Sequence, residues 1–359
     1  MNPRRRLLLC AALGAPWAAR AAPAPDPAYP PVLAGRGMEF PRDFGAHPDF
    51  RVEWWYATGW LAAGARALGF QITFFQVRQA EFDTNPSAFA PRHLLLAHAA
   101  VADPAIGHLL HTQKSARTGF GLAYARADDC DLRLENWSMQ RAEDGYRVTV
   151  RADDFSYALL LAPTAPVLLQ GRAGFSQKAP DPAHASYYYS LPQLAVSGKL
   201  ELAGGTHTVS GRAWMDHEWS SAYLPPGALG WDWLGINLHD GGALMAFRMR
   251  DAAGQALWAA AAWRGADGKL IHYAPDAVLF QPQRRWTSPV SRAAYPVALG
   301  LKIGARTLRL QPLFDNQEMD ASASVGGYYW EGAVSVFEAE REIGRGYLEL
   351  TGYAQKLRM

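Results

Sequence analysis

Apolar and polar residues alternate with a period of two through most of this chain. In Phe70-Gln71-Ile72-Thr73-Phe74, Phe70, Ile72 and Phe74 share one face while Gln71 and Thr73 share the other, which is the pattern of a half-buried β-strand. Comparable runs cover 52–61, 68–77, 94–101, 132–140, 146–152 and 157–161, with turn residues such as Asp144-Gly145 between them. In the later half Leu234, Ile236 and Leu238 face one way, and Asp240-Gly241-Gly242 turns the chain. Ala243, Met245, Phe247 and Met249 then return, with Arg248 and Arg250 on the opposite face. A turn at Asp267-Gly268 and a closing strand over 347–353 extend the meander. No window shows a sustained 3.6-residue period with caps, and the prolines of 86–96 favour a loop over a short helix.

The predicted class is therefore all-β. Many short antiparallel strands fit two tandem antiparallel β-barrels of about 8–10 strands each, because closure removes exposed sheet edges. Loops over 171–186 and 220–230 exceed what hairpins need, and long loops beside a barrel mouth commonly line ligand sites. With 359 residues and 49% hydrophobic content the chain can bury two cores, and 19% charge argues against disorder.

The N-terminus changes the compartment. Arg4-Arg5-Arg6, an apolar run over 7–17 and Ala19-Arg20-Ala21 read as a signal peptide over 1–21. Arg5-Arg6 also fits twin-arginine export, although a general secretory route is the expected one. An Ala- and Pro-rich leader spans 22–39, followed by an N-terminal domain at 40–215 and a C-terminal domain at 216–359. A periplasmic or secreted location follows. Cleavage removes four arginines and no acid, which takes the formal charge from +2 to −2. No basic patch then suggests nucleic acid or a membrane surface. Cys130 is left without a disulfide partner, and it lies between Asp129 and Asp131 with no neighbouring cation to activate it.

The densest chemistry lies in Trp214-Met215-Asp216-His217-Glu218-Trp219, answered by Trp231-Asp232-Trp233. On an extended strand Trp214, Asp216 and Glu218 share one side, while Met215, His217 and Trp219 share the other. The two carboxylates then stand about 6–7 Å apart, and like charge plus desolvation by indoles would keep one protonated near neutral pH. Such a group is a general acid. A purely structural knot of capped loops and core tryptophans is the other reading of the same residues. Asp232 heads the face of Leu234, Ile236 and Leu238 and is a third candidate acid. Glu53 is either a fourth acid or a buried tie to Arg51 or Arg78, and Glu331 after Trp330 is similar.

Several motifs together resemble the AttH and carotenoid 1,2-hydratase-like group. They are Glu53-Trp54-Trp55-Tyr56 with Gly59, the run from Gly69 to Phe75, Gln170-Gly171, Tyr188-Tyr189-Ser190, the stretch from Trp214 to Ser220, Gly230-Trp231-Asp232-Trp233 and Tyr329-Trp330-Glu331-Gly332. The resemblance implies two lipocalin-like domains in tandem, the first ending close to Asp216. Relatives in the group add water across a terminal double bond of a carotenoid, and more distant ones promote pericyclic cyclisations of polyenes. Hydratase relatives carry an aspartate in a His-Asp-His-like motif, to which Asp216-His217 is the nearest match. Glu218-Trp219 departs from that motif and places the chain nearer the secreted AttH-like branch.

Hydrating an alkene needs a proton for carbon, a cation held while water arrives, and a dry pocket. Asp216, His217, Glu218 and Asp232 are the catalytic candidates, with Glu53, Trp54, Tyr56, Tyr188, Trp214, Trp219, Trp231 and Trp233 as ligand contacts. No cofactor is required. A metal would need distant help from His98, His184 or His239, because Asp216 and His217 point to opposite faces, and no metal is expected. No Gly-x-Ser-x-Gly, His-Glu-x-x-His or phosphate loop occurs. Two functions remain. One is a cofactor-independent lyase or isomerase acting on an apolar, unsaturated molecule. The other is a non-catalytic periplasmic lipophile carrier or accessory protein that serves transporter subunits of an ABC-type export system.

Overall fold

A computed structural model describes residues 29–356; the expected signal peptide over 1–21 lies outside them. The described part of the leader is not free, because Val32 is buried and Tyr29 donates to the Arg78 carbonyl. Its apolar residues give it something to bury.

The chain is all-β, with three single-turn 3-10 helices among the described residues. The first sheet contains β1 (Val52–Ala63), β2 (Arg66–Arg78), β3 (His93–Ala102), β4 (Leu109–Arg117), β5 (Ala123–Ala125), β6 (Asp131–Leu134) and β7 (Trp137–Ala142). It continues with β8 (Gly145–Arg151), β9 (Ser156–Ala162), β10 (Leu168–Leu169), β11 (Phe175–Gln177), β12 (Ala185–Leu202) and β13 (Gly205–Ser220). The second sheet contains β14 (Gly230–Leu238), β15 (Ala243–Arg250), β16 (Ala256–Arg264), β17 (Leu270–Tyr273) and β18 (Val278–Thr287). It ends with β19 (Ala294–Ile303), β20 (Arg306–Pro312), β21 (Glu318–Ala321), β22 (Gly327–Glu338) and β23 (Arg341–Leu350).

The sheets hold 13 and 10 strands, the first running β4-β3-β2-β1-β13-β12-β9-β8-β7-β6-β5 and the second β17-β16-β15-β14-β23-β22-β20-β19-β18. Each curls until its ends approach, β5 and β6 meeting β3 and β4, and β18 meeting β16. These are two tandem lipocalin-like barrels. The single run over 132–140 is two strands, since Glu135 takes a left-handed φ of 54° and Leu134 pairs with Trp137 across the turn. A domain break after Met215 would cut β13, whose residues through Ser220 pair with β1 and β12. The change of sheet falls at 221–229.

Side chains fill both interiors. Trp55, Phe70, Ile72, Phe74, Met215 and Trp219 belong to the first core, and Leu234, Ile236, Leu238, Trp330 and Leu348 to the second. Opposite parity on the same strands supplies a third cluster between the barrels: Tyr56, Trp60, Trp214, Trp233, Met245, Phe247 and Tyr347. Trp60 Nε1 donates to the Gly346 carbonyl at 3.0 Å, and Gln193 reaches the Leu238 and Gly242 carbonyls at 2.8 and 2.7 Å. Gly69 is needed at this seam, because a Cβ there would collide with the Tyr347 hydroxyl.

Candidate functional site

The site forms where the outer faces of the two barrels meet, away from the interior of either. Trp54 and Tyr56 of β1, Thr73 and Phe75 of β2, and Asp216 and Glu218 of β13 make one wall. Trp231 and Trp233 of β14, Phe247 and Met249 of β15, Tyr329 and Glu331 of β22, and Glu349 of β23 make the other. Lys178 and Tyr223 arrive from the two long loops. Together they line a cavity with about 60 Å³ for the centres of water-sized spheres, inside about 650 Å³ of atom-free space that runs out through its open mouth.

Pleating explains the selection. On β13 even-numbered residues face the second barrel and odd-numbered ones the first barrel's core, and β1 follows the same rule. Tyr56 is the direct cross-strand partner of Asp216, and Ser190 flanks Asp216 from β12. Asp216 accepts from Trp214 Nε1 and Tyr188 Oη, each at 2.7 Å, and from Ser190 Oγ at 2.5 Å. Tyr188 in turn accepts from Trp233 Nε1 at 3.0 Å. Burial outweighs these bonds, and with the nearby Glu218 it lifts the Asp216 carboxyl to about 7. Glu218 is different, since Lys178 Nζ lies 2.6 Å from it and Ser186 donates to it.

His217 does not reach this cavity. It stacks on Trp55 inside the first barrel, donor or acceptor to Glu53 at 2.7 Å and to Tyr189 at 2.9 Å. Glu53 also stands 2.6 Å from His47 Nδ1, and His47 Nε2 stands 3.1 Å from Asp43. Glu53 is thus a buried tie, but to two histidines and not to Arg51 or Arg78. Trp219 stacks on His47 at 3.7 Å and is a core residue, not a ligand contact. The cause is odd parity, which turns all three into the barrel.

Burial opposes charge on His47, yet the Glu53 and Asp43 carboxylates hold its pKa above the ordinary histidine range. Glu53 and Asp43 are brought down to about 2 despite burial, by the His47 charge and their hydrogen bonds. Desolvation keeps His217 low. His47, Glu53 and His217 place three donor atoms within 4.8 Å of one another. Ligands 2.0–2.1 Å from a tetrahedral zinc stand about 3.3 Å apart, whereas these contacts of 2.6 and 2.7 Å have hydrogen-bond lengths. The cluster as placed fits a proton-sharing relay.

Asp232 is also absent from the cavity. Even parity on β14 points it into the second barrel, 2.6 Å from Arg248 and 3.1 Å from Arg250, with Tyr353 donating to it. Its neighbours Trp231 and Trp233 line the cavity. Of the remaining expected contacts Trp54 and Tyr56 line it, while Tyr188 and Trp214 stand behind Asp216.

The second wall brings acids that the motif around Asp216 does not announce. Glu331 is pushed well above the carboxylate range by burial, then by Glu349; Glu349 is pushed up to about 7 by burial, despite a bond from Trp231. The position of Glu349 follows from parity in the strand over 347–353. Lys178 leaves no local signal.

The AttH-like family profile matches residues 31–353. An AttH protein of Nitrosomonas europaea, known from a crystal structure, is 50% identical, with a TM-score of 0.85 over 90% of this chain and 99% of that one. Kievitone hydratase of Nectria haematococca has a TM-score of 0.66 at 15% identity, over 90% of this chain and 95% of that one. At that identity the similarity shows a common fold. No curated protein matches the chain.

Proposed function

Since the chain belongs to the AttH-like family, we propose that it binds an apolar, unsaturated small molecule between its barrels and moves a proton to it through Asp216. The reaction class is cofactor-independent hydration or isomerisation, and the name of the kievitone hydratase that shares the fold makes hydration the first to test. The carrying observation is a carboxyl that stays neutral to about pH 7 on the wall of an aromatic cavity.

In hydration the Asp216 O–H bond breaks as a C–H bond forms at one alkene carbon, leaving positive charge on the other. Trp54, Trp231 and Trp233, which line the cavity, would stabilise that charge through their ring faces. Water adds to the cation, and its surplus proton returns to the Asp216 carboxylate, so alkene plus water gives alcohol. Tyr188, Ser190 and Trp214 fix the carboxyl and stabilise its anion between the two transfers. Export to the periplasm belongs to the same proposal and is supported by the N-terminal sequence.

A carrier reading is favoured by one observation: both oxygens of Asp216 are already held by neighbours, as in a structural node. In that reading the protein delivers a lipophile to transporter subunits. The lipophile that co-purifies with the full chain, identified by mass spectrometry, should be returned to wild type and to Asp216→Asn. Gain of the mass of water by wild type alone supports catalysis; recovery of unchanged lipophile from both supports carriage.

A further inference from the structure

The cavity carries more acid than one proton transfer uses. Asp216 and Glu218 enter from the first barrel and Glu331 and Glu349 from the second, while Lys178, the one cation among the lining residues, is paired with Glu218. Glu331 and Glu349 are direct cross-strand partners, the position in which like charges destabilise a sheet. Glu331 is only 1% exposed; its Oε1 accepts from Tyr56, and its Oε2 has no hydrogen-bond partner among the described residues. Glu349 accepts from Trp231 Nε1 at 3.0 Å and pairs with no cation among the described residues. Both carboxyls are tolerated because desolvation keeps Glu331 protonated and raises Glu349 to about 7, so that the pair does not ionise together. An unsatisfied buried oxygen is costly, and here it belongs to a residue that lines the cavity.

The rings complete the environment. Tyr223 stands edge-on to Trp54 and to Trp231, with centroids 5.4 and 5.8 Å apart, and Tyr56 stands edge-on to Trp233 at 5.2 Å. Rings crossed at 65° to 90° beside carboxyls that lack a counter-ion form the setting that recognises organic ammonium groups.

We propose that this cavity binds lipophilic organic cations, with Glu331 and Glu349 as counter-ions and Trp54, Trp231, Trp233 and Tyr223 as the surrounding cage. The ligand enters as an ammonium ion. The O–H bond of one glutamic acid breaks, its proton leaves to buffer, and a carboxylate–ammonium pair replaces the neutral acid. Asp216, Glu218, Lys178 and the hydroxyls of Tyr56, Thr73, Tyr223 and Tyr329 are the other polar groups besides the indoles that line the cavity, and Lys178, paired with Glu218, is no competing free cation. The inference rests on the cavity being the ligand site of the proposed function and deepens it, because protonating an alkene creates positive charge in the same place.

The test is tryptophan fluorescence and calorimetric titration of the full chain at neutral pH with three monomeric probes: N,N-dimethyldodecylamine, 1-dodecanol and dodecanoate. The amine should bind about tenfold or more tighter than the alcohol, with dodecanoate weakest. The binding heat should vary with buffer ionisation heat by about one released proton. Glu331→Gln and Glu349→Gln should each bring amine and alcohol affinities together. Because the native Glu331 is neutral, Glu331→Gln should melt like wild type. If it does not, Tyr56→Phe, which leaves both Glu331 oxygens in place, should keep the amine preference. Equal amine and alcohol affinity in wild type, or wild-type amine affinity in both glutamine variants, overturns the inference and leaves the proposed alkene chemistry standing. Binding of none of the three probes overturns both together.

Discussion

Replacing Asp216 with Asn removes a group that the fold holds neutral, and stability should register the change as a function of pH. An aspartate in an unfolded chain ionises near 3.9, whereas Asp216 is raised to about 7, by burial first and then by Glu218, against the bonds from Ser190, Tyr188 and Trp214. Between those values the native protein keeps a proton that the unfolded chain has lost. Its stability therefore falls as pH rises through the window and levels off above about 7. A shift of about three units corresponds to about 4 kcal/mol. Asn cannot ionise, so the variant lacks that loss. Its single carbonyl can still accept from Trp214 and Ser190, but Tyr188 must reorient, which costs about 1 kcal/mol at every pH. The variant should then be slightly less stable than wild type at about pH 4 and more stable at about pH 8, with a difference in slope of about 4 kcal/mol over the interval. Urea unfolding at the two pH values reads this directly, and Glu331 and Glu349 contribute to both proteins and cancel in the difference. Parallel loss of stability in both proteins would refute the neutral acid and with it the proposed donor.

Lys178→Met strands Glu218 in the cavity wall and should cost about 3–5 kcal/mol by denaturant unfolding, largely restored in Lys178→Met/Glu218→Gln. Arg248→Met should destabilise by less, because Arg250 and Tyr353 still hold the Asp232 carboxylate, and leave probe binding in the cavity unchanged by fluorescence titration. Glu53→Gln should weaken the relay and flatten the acid limb of the stability curve. The depressed Glu53 pKa of about 2 contributes stability above about 4.3, and that stability is lost as pH falls toward 2. The raised His47 pKa contributes below about 6.5 and is lost as pH rises through its folded value; acid and alkaline titrations by circular dichroism separate the two.

The two faces of β13 are legible in its sequence because pleating depends on parity alone. Asp216 and Glu218 on one side and His217 and Trp219 on the other follow from counting. Parity does not say what waits on each face. His217 meets Glu53 only because β13 pairs with β1, a long-range consequence of topology, and Asp232 meets Arg248 only because the register of the β14–β15 hairpin sets them opposite each other. The long strand β12 hides for a different reason. Tyr187 and Tyr189 pack into the first barrel while Tyr188 and Ser190 face the second, so both sides are buried and no alternation remains. A bulge at 192–193, with Gln193 at φ 59°, then resets its parity. The barrel class survives these gaps because turns and half-buried strands such as β2 mark it repeatedly. The cavity itself is written in no segment, since its walls come from seven strands and two loops that only the packing of barrel on barrel brings together.

Proton transfer from Asp216 to carbon is tested most directly by solvent isotope. The lipophile that co-purifies with the full chain, incubated with wild-type protein in deuterated buffer at neutral pH, should acquire one non-exchangeable carbon-bound deuterium per product molecule, located by mass spectrometry and NMR. Asp216→Asn, shown folded by its melting curve, should leave the lipophile free of label. Label of equal extent with the variant, or none with wild type under conditions where the lipophile is bound, would contradict the assignment of Asp216 as the group that moves the proton.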